Sequence, residues 1–234
     1  MKYNAGKENE SSDEQRHCIM KVFICACQYY NRLSREKIAA VQAACHAAKV
    51  PCEIVPDLCL ASVKEPSGLT AENIVLACQP RAVRSMFRDI EGLNCVDLRS
   101  ASLDDILASL SLQSVESPPE PVYDKADSQW IPWFPVIDAA RCVQCKKCVD
   151  FCMFGVYSID DGKVRVTKPQ SCKTDCPACA RICPQNAIMF PKSLEDRLNG
   201  SLTEQIIPTE SDNVSFKERL KHRKGLRLFK DDEK

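Results

Sequence analysis

The sequence predicts two unlike folded units in one chain, an α/β plus α+β arrangement. A small parallel-sheet α/β domain spans residues 19–112, and a smaller α+β unit organised by cysteine spans 129–193. Three observations lead there. Four short apolar runs alternate with helix-patterned segments in the first half, the order that gives a parallel sheet covered by helices. Residues 113–128, QSVESPPEPVYDKADS, are rich in Pro, Ser and acid and read as an extended linker. Beyond it, eight of the sixteen cysteines fall in two runs, C-x2-C-x2-C-x3-C from Cys142 and C-x3-C-x2-C-x3-C-P from Cys172.

Residues 1–18 are polar, charged and aperiodic, and are expected to be disordered. Residues 21–27 form an apolar run that reads as a buried strand. Ser34 is placed to cap a helix through Lys49, with Ile38, Val41, Cys45 and Ala48 along one stripe. Residues 51–55 read as a second strand, followed by Pro56-Asp57-Leu58-Cys59 and a loop around Pro66-Ser67-Gly68, and 73–78 as a third. Pro80 opens a helix at a position where its missing N–H is no loss, with Val83, Met86, Phe87 and Ile90 as the apolar face. A fourth strand at 94–98 and a helix at 102–112 complete the domain. In the second unit a strand at 135–138 leads into the first cysteine run. Strands at 156–159 and 163–166 then flank an Asp160-Asp161-Gly162-Lys163 turn. The pattern of cysteine run, short helix and strand occurs twice. Trp130 and Trp133 read as packing over the cysteine-organised unit or its junction, with a partner-docking patch as the other reading. Residues 194–234 read as a charged, partly helical tail. Within it Lys217, Arg219, Lys221, Arg223, Lys224, Arg227 and Lys230 face Glu218 alone, the pattern of a solvated helix or frayed tail, with binding to an acidic partner or nucleic acid as the alternative.

Composition narrows the function. A hydrophobic content of 44% with 27% charged residues is that of an ordinary globular chain. A net charge of +0 gives no bulk pull toward nucleic acid or membrane. No apolar run has the length of a signal peptide core or a membrane span, so no membrane insertion is expected. The expected compartment is the cytoplasm, where thiols stay reduced and sixteen cysteines read as metal ligands and core thiols. With seven glycines and neither G-x-G-x-x-G nor G-x-x-x-x-G-K-[ST], no flavin or nicotinamide site is indicated. No nucleophile motif or acid–base constellation stands out. Of the three histidines, His17 and His222 fall in the expected tails and His46 on a helix surface. No catalytic residue is therefore assigned, and an electron carrier or electron-transfer subunit is favoured over a self-contained enzyme.

Three thiolates within the seven residues 142–148 can wrap one face of an Fe4S4 cube, whose fourth iron then needs a ligand from elsewhere. Zinc is the rival, since C-x2-C pairs also bind it tetrahedrally. Zinc motifs seldom place three cysteines in C-x2-C-x2-C and then repeat the arrangement. The segment closely resembles the two-[4Fe-4S] bacterial-type ferredoxins, in which the fourth cysteine of each run serves the other cluster. The resemblance implies that cluster one takes Cys142, Cys145, Cys148 and Cys183, and cluster two Cys172, Cys176, Cys179 and Cys152. Met153 stands where the family commonly has Pro, and the Cys172–Cys176 gap is one residue longer. Ile137, Val143, Phe151, Val156, Ile182 and Ile188 are expected to exclude water from the clusters.

In the first unit, Cys25 and Cys27 fall at the carboxyl end of strand one, Cys59 beyond strand two and Cys78 at the end of strand three. Open α/β sheets bind ligands outside those ends, so four thiols are expected to converge. Cys18, Cys45, Cys52 and Cys95 read as filler thiols. The C-x-C, Leu-Cys and Ala-Cys-x-Pro-Arg segments resemble the N-terminal domain of the flavin-carrying member of the heterodisulfide reductase family (HdrA). That resemblance implies a third [4Fe-4S] cluster on Cys25, Cys27, Cys59 and Cys78. Gln28 replaces a Gly common in that family, and the family's flavin domain does not follow. Buried core thiols and a redox-active dithiol remain the competing readings. The functional expectation is single-electron transfer between donor and acceptor oxidoreductases, through two clusters or three. Thiol–disulfide chemistry in the α/β domain and a cluster-stabilised binding module are the alternatives, and nucleic acid is not an expected partner.

Overall fold

The computed structural model describes residues 20–64, 68–116 and 118–202. The segment expected to be disordered, Cys18, and the basic stretch at 216–230 lie outside the described residues.

The first unit is the parallel sheet that the alternation of runs predicts. Strands β1 (Val22–Cys25), β2 (Cys52–Val55), β3 (Ile74–Ala77) and β4 (Asn94–Asp97) pair in the order β2-β1-β3-β4, with Val22 opposite both Cys52 and Ile74. Helices α1 (Arg35–Ala47), α2 (Leu58–Lys64), α3 (Pro80–Met86) and α4 (Leu103–Ser109) intervene. Ser34 and Ser102 cap α1 and α4, their hydroxyls accepting from the Lys37 and Asp105 N–H groups at 3.2 and 3.1 Å. Right-handed crossovers put α1 on one face, where it meets α4, and α2 and α3 on the other. The chain steps one way from β1 to β2 and the other way from β3 to β4. The topological switch point therefore lies between β1 and β3. Ile24, Ile38, Val41, Leu76, Leu98 and Ile106 are all but fully buried, each worth about 1.5–3 kcal/mol. This unit has a core of its own, in which Cys25, Cys27, Cys45 and Cys95 are buried among the aliphatic side chains.

Helix α2 has no counterpart among the elements that the sequence predicts. Asp57 is its cap, taking the Leu60 N–H on Oδ1 at 3.1 Å, and Leu58, Cys59 and Leu60 are buried beneath it. A seven-residue helix bracketed by prolines carries too little periodicity to be read locally.

The second unit holds two small antiparallel pairs, β5 (Val136–Ile137) with β8 (Ile188–Met189), and β6 (Tyr157–Asp160) with β7 (Lys163–Val166). Asp161 and Gly162, at φ 49° and 74°, make the tight turn between β6 and β7. The internal repeat is visible in the backbone. Short helices α5 (Lys147–Phe151) and α6 (Ala178–Arg181) follow the two cysteine runs. Each is succeeded by a left-handed residue, Gly155 at φ 63° and Asn186 at φ 46°. Their N–H groups donate to the Cys152 and Cys183 carbonyls at 3.4 and 3.3 Å. The core of this unit is built partly of thiols, with Cys148 and Cys179 buried among Trp133, Val156, Tyr157 and Phe190.

The extended linker lies along the first unit. Gln28 exchanges two hydrogen bonds with the Ala126 backbone at 2.9 and 2.8 Å, and Gln42 two with Val122 at 3.2 Å. Between the units, Arg81 of α3 donates to Asp138 Oδ2 at 2.7 Å, to the Asn186 carbonyl at 2.6 Å and to the Leu202 carbonyl at 3.2 Å. The folded body continues past residue 193, the boundary at which the sequence places the start of the charged tail. Helix α7 (Asp196–Asn199) follows, with Leu198 and Asn199 buried. Gly200, at φ +97°, sits where a Cβ would fall 2.9 Å from Met189 Sδ and 3.2 Å from Ala82 Cβ. Close approach and a left-handed backbone both call for glycine there.

Candidate metal centres

In the second unit each predicted set of four cysteines lines one cavity. Cys152, Cys172, Cys176 and Cys179 surround a space of about 290 Å³ together with Phe151, Met153, Phe154, Val156 and Tyr157. Cys142, Cys145, Cys148 and Cys183 line a narrow apolar slot of about 20 Å³ with Val143, Val164 and Ile188. Each set draws three cysteines from one run and one from the other. Left-handed residues coil the runs around these spaces: Gln144 and Lys146 in the first, Asp175 in the second. The residue added between Cys172 and Cys176 is taken up in a turn, with the Cys176 N–H donating to the Lys173 carbonyl at 3.1 Å. Cys172 still reaches the cavity. Among the described residues no three His, Cys, Asp or Glu side chains meet closely enough for a single metal ion. The eight thiols ring two cavities instead.

Burial dominates the chemistry of the bare thiols. It pushes Cys148 and Cys172 up to about 12 and Cys179 up to about 11. Such thiols are neutral near pH 7 and become thiolates only on binding metal. Donors toward sulfur are already in place. The Ala187 N–H donates to Cys183 Sγ at 3.3 Å. Tyr157 is buried, and its hydroxyl has no hydrogen-bond partner among the described residues. It faces Cys179, and burial first, then that thiol, push its acidity far down, so it stays an O–H donor. A buried hydroxyl without an acceptor fits a site meant to hold a sulfur-rich group.

Not every expected water-excluding side chain is buried. Ile137, Val156 and Ile188 are, and Ile182 is half-buried. Val143 and Phe151 are 61% and 53% exposed, forming the outer walls of the two cavities. They sit at the rim because the cysteine loops are too short to carry a covering layer.

In the first unit, Cys25, Cys27, Cys59 and Cys78 come together at the topological switch point. Cys25 ends β1, Cys27 follows with φ 49°, Cys78 follows β3 and Cys59 opens α2. The Leu58 N–H donates to Cys25 Sγ at 3.4 Å. Burial is the largest effect on each thiol, raising Cys78 to about 12 and Cys25 and Cys59 well above the usual range. Cys27, Cys59 and Cys78 also interact electrostatically within the group. The filler thiols lie elsewhere, Cys45 and Cys95 in the main core and Cys52 against it.

Several residues at these sites carry no sequence signal. Lys192 enters the four-thiol site from the second unit and pairs with Asp57 at 2.5 Å, both side chains buried. Burial works against its charge, but Cys59 and Asp57 outweigh this and raise its affinity for the proton. Trp133 packs at the junction, in line with the first of the two readings given for it. It stacks on Phe190 at 5.2 Å, meets Tyr30 at 5.7 Å and donates from Nε1 to the Cys176 carbonyl at 3.4 Å. Cys59 and Trp133 line one small crevice, so this ring stands between the first unit's thiols and the Cys176 loop.

A family model described as a 4Fe-4S dicluster domain matches residues 134–184. Over 70 residues the chain is 47% identical to an uncharacterized ferredoxin of Methanocaldococcus jannaschii, covering 30% of this chain and 48% of that protein. Over 54 residues it is 37% identical to a second uncharacterized ferredoxin of the same organism, covering 22% of this chain and 86% of that protein. The chain thus spans about half the length of the first relative and most of the second. No helix of the described residues is long and apolar enough to cross a membrane.

Proposed function

From the premise that the chain belongs to the ferredoxins, through its 4Fe-4S dicluster domain, we propose that it passes single electrons between redox partner proteins through two [4Fe-4S] clusters. Cluster one is held by Cys142, Cys145, Cys148 and Cys183, and cluster two by Cys172, Cys176, Cys179 and Cys152. The observation that carries this reading is the lining of each cavity by three cysteines of one run and the fourth of the other. Bound there, the clusters supply reversible one-electron chemistry. The chain's own residues hold them, aim the Ala187 N–H and the Tyr157 O–H at sulfur, and keep water out with Ile137, Val156 and Ile188. Cys145, exposed between Val143, Lys146 and Lys147, gives cluster one a basic outer face suited to an acidic partner. Sixteen thiols suit a reducing cytoplasm.

A third [4Fe-4S] cluster on Cys25, Cys27, Cys59 and Cys78 extends the path. It is supported by the gathering of these thiols at the switch point of the sheet, where α/β folds take their ligands. The resemblance to the N-terminal domain of the heterodisulfide reductase flavoprotein points the same way. Dithiol chemistry in the same group is the competing reading. Iron and sulfide counts on the anaerobically purified full chain, with and without Cys59→Ser and Cys78→Ser, test both. Two clusters give about eight irons and three give about twelve, on four irons per cluster. A fall of about four irons in the double variant supports the third cluster, an unchanged count removes it, and zinc in place of iron overturns the whole reading.

A further inference from the structure

We propose that Lys192, carried by the second unit, is the charge-balancing residue of the four-cysteine site in the first unit and raises that centre's reduction potential, a role that rests on the third-cluster reading above.

Lys192 is delivered with unusual care for a lysine. The Arg32 Nε donates to its carbonyl at 2.9 Å, and Arg99 donates to the Pro191 and Ser193 carbonyls at 3.2 and 3.0 Å. The side chain is 5% exposed and passes the rings of Tyr30 and Tyr29, 5.1 and 5.7 Å from its ammonium. It ends on Asp57, 1% exposed, at 2.5 Å. Asp57 is itself fixed by the Leu60 N–H. Lys192 and Cys59 line one crevice, and the ammonium acts on Cys59 and Cys27, while the Asp57 carboxylate acts on Cys25 as well.

A buried ion pair is a poor source of stability, because desolvating two charges offsets most of their attraction. Its placement beside Cys25, Cys27 and Cys59 gives it a different use. One-electron reduction adds a negative charge to a centre already ringed by thiolates. The electron comes from a low-potential one-electron donor and leaves through the second unit's clusters. A fixed cation stabilises the reduced state more than the oxidised one, and a low dielectric lengthens its reach. Asp57 opposes this, so the two charges must act on the potential with opposite signs. A mere latch between the units would show no such opposition.

The test is an EPR-monitored titration of the reconstituted full chain with dithionite, after counting iron. A wild-type count near eight removes the third cluster, and this role with it, before any variant is compared. With a count near twelve, Lys192→Met is expected to lower the midpoint of one centre and leave the other two in place. Lys192→Arg restores that midpoint. Asp57→Asn, which keeps the helix cap, raises the same midpoint. Should Lys192→Met lose iron, the sign of the Asp57→Asn shift decides. Midpoints that do not move, or that move in the same direction in both variants, overturn the proposal.

Discussion

Tyr157 is the residue whose chemistry is least complete without a cluster. Its buried hydroxyl lacks a partner among the described residues and faces Cys179 in the 290 Å³ cavity. Tyr157→Phe removes that one group. In the metal-free chain the change is expected to stabilise the fold by about 1–2 kcal/mol, because an unsatisfied buried hydroxyl costs that much, and denaturant unfolding measures it. With iron bound, cluster two should become harder to reduce, since a donor to its sulfur is lost, while cluster one keeps its potential. Equal potentials in the variant and the parent would make the hydroxyl a spectator. The thiols around it predict a pH effect. Burial raises Cys148 and Cys172 to about 12 and Cys179 to about 11 from an ordinary 9.0. In the native metal-free chain these thiols keep their protons after the unfolded chain has lost them. That stability is fully present below pH 9.0 and is lost as pH rises through about 11 to 12. Metal-free protein should therefore unfold more readily at pH 10 than at pH 7, as denaturation midpoints would register.

At the scale of elements, α3 does more than cover the sheet. Pro80 starts it, Cys78 precedes it, and Arg81 in its first turn reaches three acceptors on or beyond the second unit. Arg81→Ala should cost about 2–3 kcal/mol, because Asp138 is left nearly buried with the Ala140 N–H at 3.0 Å and the looser Arg141 contact at 3.6 Å. Arg81→Lys, unable to fork, should recover only part of it. Thermal unfolding of the three proteins measures both. Arg81 was legible as part of the Ala-Cys-x-Pro-Arg segment, but its partners were not, since they lie 57 and 105 residues away. The strands were legible for a local reason: runs such as Val22-Phe23-Ile24 are apolar throughout, as a doubly covered parallel strand must be. Helix α2 was not, because its main signal is the single cap Asp57. The eight cysteines of the second unit were legible because ligand spacing survives without the fold. Lys192 and Tyr157 are ordinary residue types whose importance comes from what the fold places beside them.

The whole molecule joins a unit with its own apolar core to one whose core is partly thiol. Ile24, Val41, Leu76 and Leu98 hold the sheet whether or not metal is present. In the second unit Cys148 and Cys179 belong to the buried cluster, and Cys142, Cys152, Cys172 and Cys183 pack against it. Strands of two residues and helices of four or five leave this unit much the weaker of the two when those thiols lose their bridging metal. Removing iron with a chelator is therefore expected to separate the two stabilities. Amide protons of α5, α6 and the β5–β8 pair should lose protection, while those of β1 and β3 stay slow to exchange. The boundary should run along the Arg81, Lys192 and Gly200 contacts, where the units grip one another. Hydrogen exchange read by mass spectrometry resolves these segments. Simultaneous loss in β1 and α5 would mean that the interface, rather than either core, governs the fold. Retained protection in α5 without iron would mean that packing of Trp133, Val156 and Phe190 alone suffices.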